Sequence, residues 1–368
     1  MKIKTITCHD VYNAGASLQA YALAKYLKDL GHAVEIIDYK PDYLQHYRLT
    51  GIANPKYNKP VLRELYNVLK FPGRLHAKMG KRKRSFDCFT EEYLPVTTRT
   101  YHSNEELKTK LPTADIYLAG SDQIWNPVFQ NGKDPAFYLD FAPQNAVKAS
   151  YAASFAVKNI DNAWKSQIKD WLSNLDYISV RESSGVEIIH ELGIDKVVHV
   201  ADPVFLLDRK EWDKLAEPIY NRKPFIFLYD FDNNKQLGKS VRNLARKNGW
   251  KVYSYLRNPY CDRCFSQVGP REFLSLVRDA ELVVSNSFHA TAFSLIFEKP
   301  FWVLERKERI NTRMRDLLNL LGLKERLITC MDEITIEDIE YADIRFNIIK
   351  MTSMSKRFLK IILEENKK

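Results

Sequence analysis

Four short polar segments in this 368-residue chain follow apolar runs, and each carries groups able to hold an anion or move a proton. The sharpest is SNSFHAT, residues 285–291, which puts Ser285, Ser287 and His289 at the expected start of a helix. Phe288, Ala292, Leu295 and Ile296 would form that helix's buried stripe, leaving His289 off the stripe and near the solvent-reaching end. A histidine at the positive end of a helix, opposite a bound phosphate dianion, is poised for proton transfer. The segment SVRE, 179–182, ends an apolar run on Arg181. Its guanidinium fork can grip a carboxylate or phosphate in two places, or pair locally with Glu182 or Glu187. GSDQIWN, 120–126, offers Ser121, Asp122, Gln123, Trp125 and Asn126. Here Asp122 is the candidate base and the others would line a cleft for an acceptor, although Ser121 or Asp122 could equally cap a turn. NAGASLQ, 13–19, sets Asn13 and Gly15 ahead of a helix whose free N–H groups suit an anion. It lacks the full glycine spacing and the acidic ribose ligand of a dinucleotide site.

These turns need strands and helices to hold them. The opening Ile3–Thr7 strand, the SLQAYALAKYLKDLG helix and the AVEIIDY strand make a β-loop-α-β unit, which begins a doubly wound parallel sheet. Residues 41–110 read as a largely helical insertion, after which strands and helices alternate to about 205. The second half repeats the grammar through PFIFLYDF, KVYSYL, ELVVSNS and PFWVLER, with a helical pattern after each of the first three. The expected organisation is an N-terminal Rossmann-like domain over 1–205, a C-terminal one over 206–345, and a terminal helix over 346–368.

Composition narrows the function classes. Hydrophobic residues at 45% suffice for two cores and exclude a disordered chain. The N-terminal apolar run breaks at Cys8, His9 and Asp10, too early for a signal peptide, and no run is long enough to span a membrane. A cytoplasmic enzyme is therefore expected. The net charge of +10 fits anionic substrates or an anionic membrane surface. Its densest run, Lys78–Arg84, has five bases in seven residues without interleaved aromatics. That argues against nucleic acid and leaves a solvated loop or a peripheral membrane contact. Cys261 and Cys264 form a lone CxxC without a second ligand pair, so two reduced thiols are expected there rather than a metal.

Taken together and in order, NAGASLQAYAL, GSDQIWN, SYAASF (150–155), SVRESSG, DPVFLL (202–207) and SFHA resemble the polysaccharide pyruvyl transferase family, over about residues 3–325. The resemblance implies two Rossmann-like domains facing across a cleft, as in the GT-B glycosyltransferases. It also implies phosphoenolpyruvate as donor co-substrate, a sugar or lipid-linked oligosaccharide as acceptor, and no separate cofactor. The family's donor-binding arginine and catalytic histidine correspond to Arg181 and His289. Ala156 stands where a glycine is common, and Ala14 replaces a frequent aromatic beside Gly15. A nucleotide-sugar glycosyltransferase on the same scaffold is the rival reading, and a non-catalytic sugar-binding module a third. Convergence of several polar turns on a proton donor disfavours the last.

Overall fold

The computed structural model describes residues 1–45, 79–220, 222–306, 312–329 and 334–366. In the N-terminal half, β1 (Lys2–Ile6), α1 (Ala14–Asp29) and β2 (Ala33–Tyr39) form the expected unit. They are followed by α2 (Lys81–Tyr93), β3 (Val96–Tyr101), α3 (Asn104–Thr109), β4 (Ile116–Ala119) and β5 (Val147–Ser150). Then come α4 (Asn162–Leu172), β6 (Ser179–Val180), α5 (Ser183–Glu191) and β7 (Val198–His199). The sheet is parallel with order β3-β2-β1-β4-β5. Bridges from Ala149 to Tyr177 and from Ala153 to Val180 carry the pairing on to β6 and β7.

The second half comprises α6 (Arg209–Leu215), β8 (Phe225–Tyr229), α7 (Lys235–Lys247), β9 (Lys251–Ser254), β10 (Arg263–Cys264) and α8 (Pro270–Arg278). It continues with β11 (Leu282–Ser285), α9 (Phe288–Ile296), β12 (Phe301–Leu304), α10 (Thr312–Leu321), β13 (Leu327–Ile328) and α11 (Tyr341–Glu365). Its sheet is also parallel, in the order β10-β9-β8-β11-β12-β13. The unbroken apolar sequence of β8, FIFLY, is buried on both faces, as a central parallel strand covered by helices requires.

Both sheets reverse their winding once, between β1 and β4 and between β8 and β11, and a ligand crevice opens beyond the strand ends at such a reversal. The two halves also share one apolar core. Leu18 of α1 belongs to the same buried cluster as Phe205, Trp212, Phe227 and Phe293. Trp212 meets Phe293 edge to face at 4.9 Å, an arrangement worth about 0.5–1.5 kcal/mol beyond the area it buries.

Three expectations change. The stretch 41–110 is not simply a helical insertion, because VTTRTY forms edge strand β3, its β-branched residues suiting a pleated surface. The terminal helix starts at Tyr341 rather than 346, and it returns to the first half. There the Ala201 N–H donates to Ser355 Oγ at 2.8 Å and the Tyr177 hydroxyl donates to Glu365 at 2.6 Å. Of the basic run, Lys78 lies outside the described residues, and Lys81–Arg84 open α2 instead of forming a loop. Arg82 turns inward, donating to the carbonyls of Tyr12 at 2.9 Å and Ser266 at 3.2 Å, and Lys83 pairs with Asp87. Arg82 is thus a strut between the halves rather than a free surface charge. Cys261 and Cys264 are free thiols, donating to the carbonyls of Asn258 and Leu256.

Candidate active site

Every sequence-derived candidate lies at or after the carboxyl end of a strand. After β4 the chain turns at Gly120, where φ is +131°. A Cβ there would stand 2.0 Å from the Tyr151 carbonyl oxygen, so only glycine fits. The turn is locked by Ser121, whose hydroxyl donates to the Ala152 carbonyl at 2.8 Å and whose N–H donates to Gln19 Oε1 at 3.1 Å. Ser121 is fully buried and holds the loop instead of lining a cleft. Trp125 and Asn126 are likewise internal. The Trp125 indole donates to the Phe137 carbonyl at 2.9 Å and stacks on Tyr138, while Asn126 donates to Gln123 Oε1 at 2.8 Å. Asp122 and Gln123 do face open space. With Asn13, Tyr43, Gln130 and Asn131 they line a cavity of about 400 Å³ at the first sheet's reversal.

Arg181 and His289, from opposite halves, meet on one carboxylate that sequence reading passed over. Asp202 lies just after β7 in DPVFLL, and its Oδ1 accepts from the Val204 N–H at 3.1 Å, capping a 3₁₀ turn over Pro203–Leu206. Its Oδ2 accepts from Arg181 Nη1 at 2.5 Å and lies 3.7 Å from His289 Nε2. The second guanidinium arm, Nη2, reaches Asp122 Oδ1 at 3.2 Å. Arg181 therefore pairs with Asp202 and Asp122 rather than with Glu182 or Glu187. Glu182 serves elsewhere, accepting from Ser154 Oγ and from the N–H of Ala156, a residue at φ +56°, where a glycine would sit without strain.

A further cation enters from α10. Arg313, buried, points Nη1 at Asp122 Oδ1 from 3.6 Å. The two guanidinium groups flank Phe288, 4.5 Å and 5.6 Å from its ring centre. No strand-end motif announces Arg313, and nothing in its neighbourhood of sequence could have found it. Burial works against the charge on Arg313, and repulsion from Arg181 adds to it, bringing its pKa down to about 10. For Asp202, burial opposes ionisation, but Arg181 and then His289 outweigh it and hold the carboxyl well below the usual range. The same balance lowers Asp122, with Arg181, His289 and Arg313 overcoming burial. Both carboxylates are thus charged at neutral pH. Nε of Arg181, Nε of Arg313 and Nε2 of His289 are buried with no hydrogen-bond partner among the described residues, a concentration of unmet polar atoms that suits a ligand site.

His289 is in the first turn of α9, as expected, but only 6% exposed rather than solvent-reaching. Its ring lies flat against α1, so that a Cβ at Gly15 would come within 2.0 Å of Nδ1. That close approach, not a turn, is what Gly15 provides. Asn13 caps α1, its Oδ1 taking the N–H groups of Gly15 at 2.9 Å and Ala16 at 3.4 Å. Those two donors are thereby satisfied internally. Ser287 caps α9 through Ala290 N–H, and Ser285 donates to the Tyr229 carbonyl at 2.8 Å while accepting the Ser287 N–H. Both serines build the turn that presents the histidine. Asn286, unremarked in the sequence, ties β11 to β8 by donating to Asp230 Oδ1 at 2.7 Å.

A family model described as Polysaccharide pyruvyl transferase matches residues 13–308, which begin at the α1 cap and enclose Asp122, Arg181, Asp202 and His289. The chain belongs to the polysaccharide pyruvyl transferase family. Comparison with curated protein sequences gives no significant match. Among solved structures, the UDP-GlcNAc 2-epimerase of Neisseria meningitidis bound to UDP-GlcNAc is similar at 13% identity and a TM-score of 0.52, covering 99% of this chain and 100% of that one. The putative UDP-N-acetylglucosamine 2-epimerase of Listeria monocytogenes gives 11% identity and 0.54, covering 100% and 97%. The Methanocaldococcus jannaschii enzyme in complex with UDP-GlcNAc and UDP gives 13% and 0.52, covering 99% and 100%. At such identities the likeness is one of fold. This pyruvyl transferase family member has the GT-B-like pair of Rossmann-like domains, and the candidate site residues come from both. No helix among the described residues is long and apolar enough to cross a membrane.

Proposed function

We propose that this protein moves the enolpyruvyl group of phosphoenolpyruvate onto two hydroxyls of one sugar, closing a pyruvate ketal during surface polysaccharide assembly. What supports the reading most directly is the meeting of Arg181 and Arg313 on Asp122, with His289 beside Asp202 on the other arm of Arg181, next to a cavity whose lining includes Asn13, Gln123, Gln130 and Asn131. Phosphoenolpyruvate carries two anionic ends, and two guanidinium groups spaced about a phenyl ring give each end a partner. His289 delivers a proton to the methylene carbon, the double bond supplies its electrons to that new C–H bond, and C2 becomes oxocarbenium-like. An acceptor hydroxyl adds to C2 and gives up its proton to Asp122. The C2–O bond to phosphate then breaks, its electrons leaving with the phosphate, which takes up the proton that Asp122 had received and departs as the dianion. The second hydroxyl closes on C2 and its proton returns to His289, so one donor and one diol become one ketal and one phosphate. No cofactor or metal enters this scheme.

Gln123, Asn13, Gln130 and Asn131 suit the acceptor, because amides both donate to and accept from sugar hydroxyls. Ligand-induced thermal shift separates this reading from the nucleotide-sugar one, which the epimerase-like fold also accommodates. Phosphoenolpyruvate should raise the melting temperature and UDP-GlcNAc should not. Stabilisation by the nucleotide sugar alone would overturn the assignment.

A further inference from the structure

The C-terminal helix α11 presents two different faces. Ile344, Thr352, Ser355, Phe358, Leu359, Ile362 and Leu363 are buried against the body of the protein. On the opposite side Phe346, Ile349, Met354 and Ile361 are exposed, Phe346 by 68% and Ile349 by 63%. Lys350, Ser353, Arg357 and Lys360, also exposed, fall between them. Their spacings of three and four residues put all eight on one stripe about four turns long. From Phe346 to Ile361 the helix contains Lys350, Lys356, Arg357 and Lys360 and no acidic residue.

We propose that this stripe docks the protein on an anionic lipid bilayer, the apolar side chains entering the acyl boundary and the bases meeting the headgroups. Large apolar side chains held open to water beside lysine and arginine are the composition of an interfacial helix. A groove of about 460 Å³ continues the face, with Ile349 and Lys356 on one wall and Leu206 and Ile296 on the other. A second copy of this chain is a poor occupant, because a two-fold contact would bring Lys350, Arg357 and Lys360 of both copies together, and Glu364 at the helix end already pairs with Lys360. Nucleic acid fits no better, since the stripe offers phosphates four apolar side chains among its bases. The stripe lies on α11, away from Asp122, Arg181 and His289, and is independent of the proposed reaction.

The full chain, mixed at low salt with vesicles of phosphatidylglycerol and phosphatidylcholine in equal parts, should co-sediment with them and be released as salt rises. Each base near such a surface contributes roughly fivefold in partitioning, so the triple change Lys350→Gln, Arg357→Gln, Lys360→Gln should weaken binding on the order of 100-fold. The pair Phe346→Ser, Ile349→Ser should weaken it at least tenfold, with an unchanged melting temperature because both side chains are already in water. Three results would overturn the proposal: no co-sedimentation, equal binding to pure phosphatidylcholine vesicles, or binding indifferent to the triple change. Concentration-dependent self-association abolished by the Phe346, Ile349 pair would replace the lipid with a second copy.

Discussion

Replacing Gly15 by alanine adds one methyl group at a place where the geometry sets the consequence. The new Cβ would lie 2.0 Å from Nδ1 of His289, 2.3 Å from Cγ and 2.7 Å from Cε1. Ordinary contact begins near 3.4 Å, so the ring must retreat about 1.4 Å, the difference between 3.4 and 2.0 Å. The backbone has no objection, because Gly15 has no left-handed φ and lies in the first turn of α1, where alanine is the better helix former by up to about 1 kcal/mol. The fold should survive, with stability lowered by the roughly 1–3 kcal/mol that overpacking a buried site costs. A displacement of about 1 Å in a reacting group can cost on the order of 100-fold in rate, so turnover should fall by about that much while phosphoenolpyruvate affinity, held by Arg181 and Arg313, changes little. The assay is phosphate release from phosphoenolpyruvate with an acceptor sugar, alongside donor titration. The decisive comparison is a cycle with His289→Gln: if Gly15→Ala acts through the imidazole, it should cost almost nothing in that background. Normal turnover by Gly15→Ala, or an undiminished effect without His289, would refute the placement of the histidine against α1.

His289→Gln alone should keep donor affinity and lower turnover by roughly 100- to 10,000-fold, as loss of an acid-base group does; a destabilised variant whose folded fraction turns over normally would make His289 a structural residue. Arg181→Lys should weaken donor binding and destabilise the fold together, since one ammonium cannot span Asp202 and Asp122 as the two guanidinium arms do, and unchanged affinity in titration would remove Arg181 from the site. Arg313→Met should leave the melting temperature level or raise it, because burial and Arg181 already penalise that charge, yet weaken phosphoenolpyruvate binding at least tenfold; a lower melting temperature with unaltered binding would reverse the assignment. Asp38 is held down to about 2 by its hydrogen bonds from His9 and Thr100 in spite of burial. A lowered carboxyl stabilises the fold above its unfolded value near 3.9 and loses that contribution as pH falls toward 2, so acid unfolding over this window should flatten in Asp38→Asn, and an unchanged slope would count against the pair.

What could be read from the sequence follows from how local the signal was. Arg181 and His289 were legible because a short apolar run ending in a polar turn locates a strand's carboxyl end, and in parallel sheets that end faces the ligand. The alternation of strands and helices likewise betrayed two doubly wound sheets. Burial was not legible. Ser121, Trp125 and Asn126 stand in the right turn, but only the third dimension shows the indole stacked inside the first domain and the serine spent on Ala152. Strand β3 was hidden because VTTRTY lacks the aliphatic residues of a central strand, as befits an edge. Asp202 stands directly before a proline in DPVFLL, where capping the turn is role enough for an aspartate, and it does cap that turn. Arg313 comes to Asp122 purely through the packing of α10, and no spacing rule reaches that far along a chain.

The charges around Phe288 divide the work differently from what one arginine in a motif suggests. Arg181 already has a carboxylate on each arm, and Asp202 spans from that arginine to His289. Removing either partner of such a buried pair costs about 3–5 kcal/mol, because the survivor is left charged and dry. Arg181 and Asp202 are thus the frame that fixes imidazole and Asp122 relative to each other across the two domains. Among the described residues Arg313 has a single ion-pair partner, Asp122 at 3.6 Å, and it carries its charge at a cost. An anion arriving beside it relieves that cost, whereas the same anion at Arg181 must compete with two carboxylates. Donor affinity should therefore depend on Arg313 at least as strongly as on Arg181, while stability depends on Arg181 far more. Equal melting temperatures for Arg181→Met and Arg313→Met, or donor binding lost only in the first, would show that the frame and the grip are the same residue.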